Sequence, residues 1–474
     1  MQLEIINKPQ QYSAVLLLTS DIQSIKEQKI VPTSFYAYIE KYISEGKNTC
    51  LLLPSEEQLC VVALVLEEKK DGAALVESYR RLASKAFGLL TKEKVADLAI
   101  VGDVEAHYLC SFIEGFYLSS YRFEKYKSTS TKEVIARVGV QEGLYESLVP
   151  IVHVCEANFV ARTLVNEPVC YLTAPQLSQE IQVLSQTHGF TVDILEKQQI
   201  EDLKMGGLLA VNKGSEVPPT FNILEWKAED AKNSQPVVLV GKGVVYDTGG
   251  YDLKTGGHMS HMKMDMGGAA AVVGTVCALA KNEVPIHVIG LIPATDNRIG
   301  PNGLVSDDVI NMYDGTTVEV KNTDAEGRLI LADALAYAKK YTPALVIDLA
   351  TLTGAAMRVT SHYGTAMMGN ASKETKAELM SAGENVHERL IEFPFWEEFE
   401  DEIKSDVADI KNLGNPAGGA STAGKFLEHF TDYPWIHLDI AGPAFVEKPY
   451  HYLTTGGTGV GVRLLYDFLS KGNF

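Results

Sequence analysis

The feature that most constrains this chain is the alternation of continuous apolar runs with helix-like segments. From about Cys170 onward, "PVVLVG", "VPIHVIGLIPA", "TVEV", "ALVIDLA", "TAMMG" and "WIHLDIA" are short runs rich in Val, Ile and Leu. Longer segments with helical spacing, such as "GGAAAVVGTVCALA" and "LILADALAYAKK", separate them. A strand that is apolar on both faces needs cover on both faces, and intervening helices supply it. The pattern predicts an α/β fold with a mostly parallel central sheet between helical layers. Ligands bind beyond the carboxyl ends of the strands in such sheets. Chemistry is therefore expected just after "VVLVG", "TVEV" and "VIDLA".

The first part of the chain repeats the alternation on a smaller scale. "SAVLLLT", "NTCLLLP", "CVVALVLE" and "ADLAIVG" have the character of strands, whereas "SYRRLASKAFGLLTKEK" and "AHYLCSFIEGFYLSSYRFEKY" have helical periodicity. The polar run "KSTSTKE" (127–133) marks a boundary, and "VIARVGV" follows as a further strand. Three parts are expected: a smaller N-terminal α/β domain over 1–140 serving assembly or regulation, a linking helical segment over 141–168, and a larger domain over 169–474 carrying the chemistry. Pro150 is expected to delay or kink the linking helix.

Composition excludes some partners. Lys plus Arg number 42 against 61 Asp plus Glu, a net charge of 42 − 61 = −19, which opposes general binding to nucleic-acid phosphates. The uncharged stretch Gly267–Ala280 falls short of the ~20 residues that span a bilayer, and the opening residues lack a secretory signal pattern. No membrane association is expected. The six cysteines are scattered with no CxxC, as in a reduced cytoplasmic protein.

Just after "VVLVG" comes "GKGVVYDTGGYDLKTGGHMSHMKMDMGG", holding Lys242, Asp247, Lys254 and Asp265. Just after "TVEV", the stretch "NTDAEGRL" holds Asp324, Glu326 and Arg328. A lone acid at a strand end ordinarily caps a helix or turn. Four acids gathered in one cleft repel each other, and two divalent cations held ~3.5–4 Å apart by a shared carboxylate would neutralise them. Oxygen ligands with little histidine suit Mg²⁺ or Mn²⁺, and Zn²⁺ also accepts carboxylates. His258 and His261 form an HxxH but are read as loop residues. No HExxH is present. "GASTAGKF" (419–426) resembles a P-loop yet ends in Phe426 where a Mg²⁺-binding Ser or Thr is required. Asp348 is read as a strand-end acid pairing with a neighbouring loop.

The octapeptide "NTDAEGRL", with "GKGVVYDTGG", "HMKMDMGGAAAV", "ARTLVNEP", "IDLATLTGA" and "TTGGTGVGVRLL", resembles the leucyl (cytosol) aminopeptidase family, metallopeptidase family M17. The resemblance is strong from about Cys155 onward and faint in the first 140 residues. It implies a two-metal exopeptidase. Asp247 and Glu326 would bridge two ions, Lys242 and Asp265 would complete one site, and Asp324 the other. Lys254 would stabilise the oxyanion. Arg328 would hold a bicarbonate that takes the proton from a metal-bridging water. Met262, Asn322, Thr351, Leu352, Gly354, Ala441 and Ala444 would contact a substrate with a free N-terminus, and their small or apolar character favours a leucine-like first residue. The family further implies a homohexamer. A scaffold or nucleic-acid-binding role on the same fold is the alternative. The chain departs from the family pattern at one place: Thr255 stands where a proline is usual after the lysine, and Asp252 adds an acid. The Lys254 loop is therefore expected to be more mobile or differently shaped.

Overall fold

In the computed structural model, which describes residues 1–6, 8–54, 58–66, 72–129, 135–472 and 474, the apolar runs become strands of separate sheets. One unit comprises Met1–Cys155 with Lys448–Thr455, and the other Glu156–Glu447 with Gly456–Phe474. Most of the polar run at 127–133 lies outside the described residues.

The first unit holds a six-stranded sheet built from β1 (Gln2–Ile5), β2 (Ala14–Thr19), β3 (Thr49–Leu53), β4 (Leu59–Leu64), β5 (Asp97–Gly102) and β6 (Arg137–Val140). Its order is β1-β6-β5-β2-β4-β3, parallel except where β3 meets β4. Central β2 is buried at every position, the burial its unbroken apolar run requires. Helices Gly72–Lys92 and Ala106–Leu118 are joined by an ion pair, Arg80 Nε to Glu114 Oε2 at 2.6 Å. The second helix stops at Leu118, short of the end of its periodic pattern. There the Ser119 and Ser120 hydroxyls donate to the carbonyls of Gly115 and Tyr117, drawing the last turn away from helical bonding.

The long helix Glu142–Asn166 starts well ahead of Pro150, so the expected late start does not occur. Burial of Leu148, Val152 and Cys155 around the proline compensates for its missing N–H. The two units divide inside this helix.

The second unit is built on β7 (Thr191–Leu195), β8 (Thr220–Lys227), β9 (Val237–Gly241), β10 (Gly243–Asp247), β11 (His287–Asn297), β12 (Val309–Asn311), β13 (Thr317–Glu319), β14 (Leu345–Ala350), β15 (Thr365–Met368), β16 (Leu390–Glu392), β17 (Ile410–Lys411) and β18 (Trp435–Asp439). The main sheet runs β16-β15-β18-β14-β9-β11-β8-β7, with β10 also paired to β11. Its centre, β18-β14-β9-β11, is parallel. The two faces of β9 show the predicted double cover. Gly241 lies so close to helix Gly267–Lys281 that a Cβ would meet Ala269 Cα at 2.7 Å. Val238 and Val240, on the other face, join the core formed with helix Gly327–Ala338. Helices Glu142–Asn166 and Met262–Lys281 are long and apolar enough to cross a membrane by composition, but 56% and 83% of their apolar windows are buried within the fold, as in core helices.

Two sequence expectations change here. "TVEV" is not in the main sheet: β13 lies in a three-stranded side sheet between β12 and β17. The reason is one-sided alternation. Val318 and Val320 are fully buried, whereas the alternate side chains of Thr317 and Glu319 bond to Asp409 and Ser405. "GVVYD", absent from the expected strands, is strand β10, with Asp247 as its last residue.

Candidate metal centre

Lys242 fills the one-residue gap between β9 and β10. Its N–H donates to Leu349 O at 3.0 Å and its carbonyl accepts from Ala269 N at 2.9 Å. This irregularity aims the side chain past the strand ends. The lysine stem lies against Gly327, where a Cβ would meet Cε at 2.5 Å, so a side chain at this first helical position would displace the Lys242 ammonium. Asp265 comes from the short 3-10 turn Met262–Met266 that leads into helix Gly267–Lys281. Glu326 caps helix Gly327–Ala338, and Asp324 sits in the preceding turn.

These residues converge. Carboxylate oxygens of Asp247, Asp265 and Glu326 lie within 4.8 Å of one another, and all three residues are buried. Lys242 Nζ is 2.7 Å from Asp265 and 2.8 Å from Glu326 Oε1, and it donates to Thr351 O at 3.0 Å. Lys254 Nζ is 2.8 Å from Asp247 Oδ2 and 2.6 Å from Asp324 Oδ1. Burial alone would lower both lysine pKa values, but the acids outweigh it: Asp265, Glu326 and Asp247 raise Lys242, and Asp247, Glu326 and Asp324 raise Lys254. Burial, with Glu326 and Asp247, pushes Asp265 well above the carboxylate range. Burial followed by the charges of Asp247 and Glu326 pushes Asp324 up to about 7. Two ammonium groups do not hold the four acids ionised in this buried space, which favours added positive charge. Glu326 Oε2 is buried with no hydrogen-bond partner. A cage of carboxylates with an unsatisfied oxygen fits divalent cations.

Arg328 lies beside the cage. Its NH1 donates to Asn412 O at 2.7 Å, and its Nε is buried without a hydrogen-bond partner, a donor suited to a small anion. Burial lowers its pKa to about 10, against the opposing charges of Glu326 and Asp439.

Five of the remaining expected residues, Thr351, Leu352, Gly354, Ala441 and Ala444, follow the ends of β14 and β18. Around Gly267, a Cβ would meet Thr351 Cγ2 at 3.3 Å and Ala444 Cβ at 3.4 Å, which brings those two residues together. The N–H groups of Leu352 and Ala441 both donate to Asp439 Oδ1 at 3.1 Å. Gly354 opens the following helix, Gly354–Thr360. Met262 opens the turn that carries Asp265. Asn322 Oδ1 accepts from Asp324 N at 2.6 Å, so this carboxamide shapes the turn.

Several supporting residues gave no sequence signal. Asn297 donates to Asp247 Oδ1 at 2.8 Å and to Thr323 O at 3.1 Å. Asn412 is fully buried. It donates to Asn322 O and accepts from Lys321 N, clamping the "NTDAEGRL" turn from 90 residues away. Asp439 holds Thr353 Oγ1 at 2.6 Å as well as Leu352 and Ala441. The decoys resolve simply. Lys425 of "GASTAGKF" pairs with Glu428 at 2.7 Å inside a helix. His258 is exposed, and His261 stacks on Phe445. Asp348 is a fully buried mid-strand acid that pairs across to His437 of β18, not with a loop.

An α/β sheet with an acid-and-amine cage beyond its strand ends places the chain in the class of α/β proteins suited to hold divalent cations at their ligand crevice. Comparison with known proteins narrows the class. The chain belongs to the cytosol aminopeptidase family: residues 159–466 match the family's catalytic domain and residues 55–130 its N-terminal domain. It is 42% identical over 439 residues to a probable cytosol aminopeptidase of Chlorobium phaeobacteroides, covering 87% of this chain and 86% of the relative. It is 40% identical over 420 residues to one of Clostridium perfringens, covering 85% of each. Among solved structures, the bottromycin maturation enzyme BotP in complex with Mn superposes with a TM-score of 0.86 at 29% identity, over 97% of this chain and 99% of that one. A mutant of tomato leucine aminopeptidase gives 0.86 at 28% identity, over 99% and 96%. The protein is thus a metal-dependent aminopeptidase, a hydrolase acting on peptides.

Proposed function

We propose that this aminopeptidase releases leucine-like hydrophobic residues from peptide N-termini using two divalent ions, Zn²⁺, Mn²⁺ or Mg²⁺. The observation that carries the reading is the buried convergence of Asp247, Asp265 and Glu326, with Glu326 Oε2 unbonded. Asp247 and Glu326 would be shared between the two ions, Lys242 and Asp265 would help hold one, and Asp324 would help hold the other. The chemistry such a pair supplies is polarisation of the scissile carbonyl and acidification of a water.

The chain's own residues do the rest. Lys242 has to lose its proton to act as a ligand, so loading the site releases a proton. Lys254, held cationic by the acids around it, donates to the oxygen that becomes negative when the carbonyl is attacked. Arg328 would hold bicarbonate through its buried Nε, and the anion would supply a base there. Asp265 helps receive the substrate's α-amine, which makes the enzyme an exopeptidase. Thr351, Leu352, Gly354, Ala441 and Ala444, with Met262 and Asn322, line the first side-chain pocket, whose small apolar surface suits leucine. A homohexamer and a cytoplasmic location complete the proposal. Six free cysteines and relatives named for the cytosol support the location.

The test is hydrolysis of leucyl-p-nitroanilide with Mn²⁺, with and without chelator, and with and without added bicarbonate. Release that stops with chelator and rises with bicarbonate is expected. Equal release on an aspartyl substrate would refute the pocket assignment, and a monomer on a sizing column would refute the hexamer.

A further inference from the structure

We propose that Asp252 is a positioning residue for Lys254, clasping the lysine-bearing loop to the turn that carries Asp324. The inference rests on the role assigned to Lys254 above. Sequence raises the question, because the loop from Thr248 to Met266 contains no proline and has Thr255 directly after the lysine. A loop without that restraint has more conformations to lose when it orders. It also starts from a Gly249–Gly250 pair with φ of 86° and 64°, a turn that side chains disfavour.

The structure supplies a different restraint. Asp252 Oδ2 accepts from Thr323 N at 2.7 Å, from Thr323 Oγ1 at 3.1 Å and from Ser306 Oγ at 3.2 Å. In return the Asp252 N–H donates to Thr323 Oγ1 at 2.8 Å, and that hydroxyl lies 2.6 Å from Gly249 O. The clasp joins two segments 71 residues apart in sequence. One carries Lys254 two residues on, and the other carries Asp324 one residue on. Lys254 N also donates to Thr248 O at 3.0 Å, so the loop is closed at its base. Thr323 is 1% exposed and cannot move without disturbing the cage, whereas Asp252 lies at the surface. The fixed half of the clasp therefore belongs to the metal centre, and the adjustable half to the loop. The reciprocal bonds set where the Lys254 ammonium stands relative to Asp247 and Asp324.

The test compares Asp252→Ala, Asp252→Asn and Asp252→Ala with Thr255→Pro, in the full-length, metal-loaded protein. Asp252→Ala is expected to lower kcat by roughly ten- to a hundredfold, the cost of a misplaced transition-state donor, with KM and metal content almost unchanged. Asp252→Asn keeps an acceptor and recovers most of the loss. Thr255→Pro restores part of kcat in the Asp252→Ala background and changes little on its own. In the metal-free protein, amide hydrogen exchange at Asp252 and Thr323 is expected to quicken in Asp252→Ala. Should Asp252→Ala fail to fold, Thr323→Val removes the hydroxyl's bonds to Asp252 and Gly249, leaving only the backbone bond, and Thr323→Ser restores them. A Lys254→Met variant separates the two ideas. If it keeps normal kcat, the assigned role of Lys254 is wrong. If it loses kcat while Asp252→Ala and Thr323→Val keep theirs, the clasp has no positioning role.

Discussion

Glu326 shows how little of a functional residue is visible alone. It is the N-cap of a helix, a place where an acid is ordinary. Here it is 1% exposed, paired through Oε1 to Lys242, with Oε2 unbonded. Glu326→Gln keeps the shape and removes the charge. Turnover is expected to fall by on the order of a thousandfold or more. Elemental analysis should show less bound metal, while the circular dichroism spectrum stays unchanged. A variant with near-normal turnover would remove Glu326 from the cage. At this scale sequence singled out the charged residues of the cage, because they crowd into two short stretches of chain. It missed Asn297, Asn412 and Asp439, whose roles are hydrogen bonds to segments that adjoin only after folding.

The paired strands β14 and β18 carry a buried polar element that neither strand's sequence announces. Asp348 Oδ1 lies 2.6 Å from His437 Nδ1, and Asp348 Oδ2 accepts from Trp435 Nε1 at 2.7 Å. Burial by itself would lower the His437 pKa, but Asp348 outweighs it and the net shift is upward. A histidine raised on folding binds its proton more tightly in the folded state. Its stabilisation is complete below the unfolded value of about 6.5 and fades as pH rises through the folded value. His437→Phe leaves Asp348 buried without its cation, at a cost of about 3–5 kcal/mol. Urea unfolding of both proteins should show a larger gap at pH 6 than at pH 9; a gap independent of pH would mean that the pair is not charged. The side sheet teaches a related lesson. "TVEV" resembles the core strands in composition, but its apolar side chains, Val318 and Val320, are buried on one face only, and a run this short does not reveal one-sided burial.

For the whole molecule, the cage couples metal binding to stability. Ligands that bind only the folded state stabilise it by about 2.7 kcal/mol at a hundredfold excess over Kd. Chelator is therefore expected to lower the melting temperature measured by calorimetry, and excess Mn²⁺ to restore it. No change in either direction would separate the cage from folding. Sequence by itself determined the α/β class, the parallel core and the residues able to ligate ions. Those follow from local pattern, since doubly buried strands must be apolar and strand-end charges need a partner. Tertiary structure alone decided that Asp247 ends a strand while Asp324 and Glu326 follow a side sheet, and that distant asparagines hold both in place. Such convergence is fixed by how the elements pack, and packing joins residues whose separation along the chain carries no local trace.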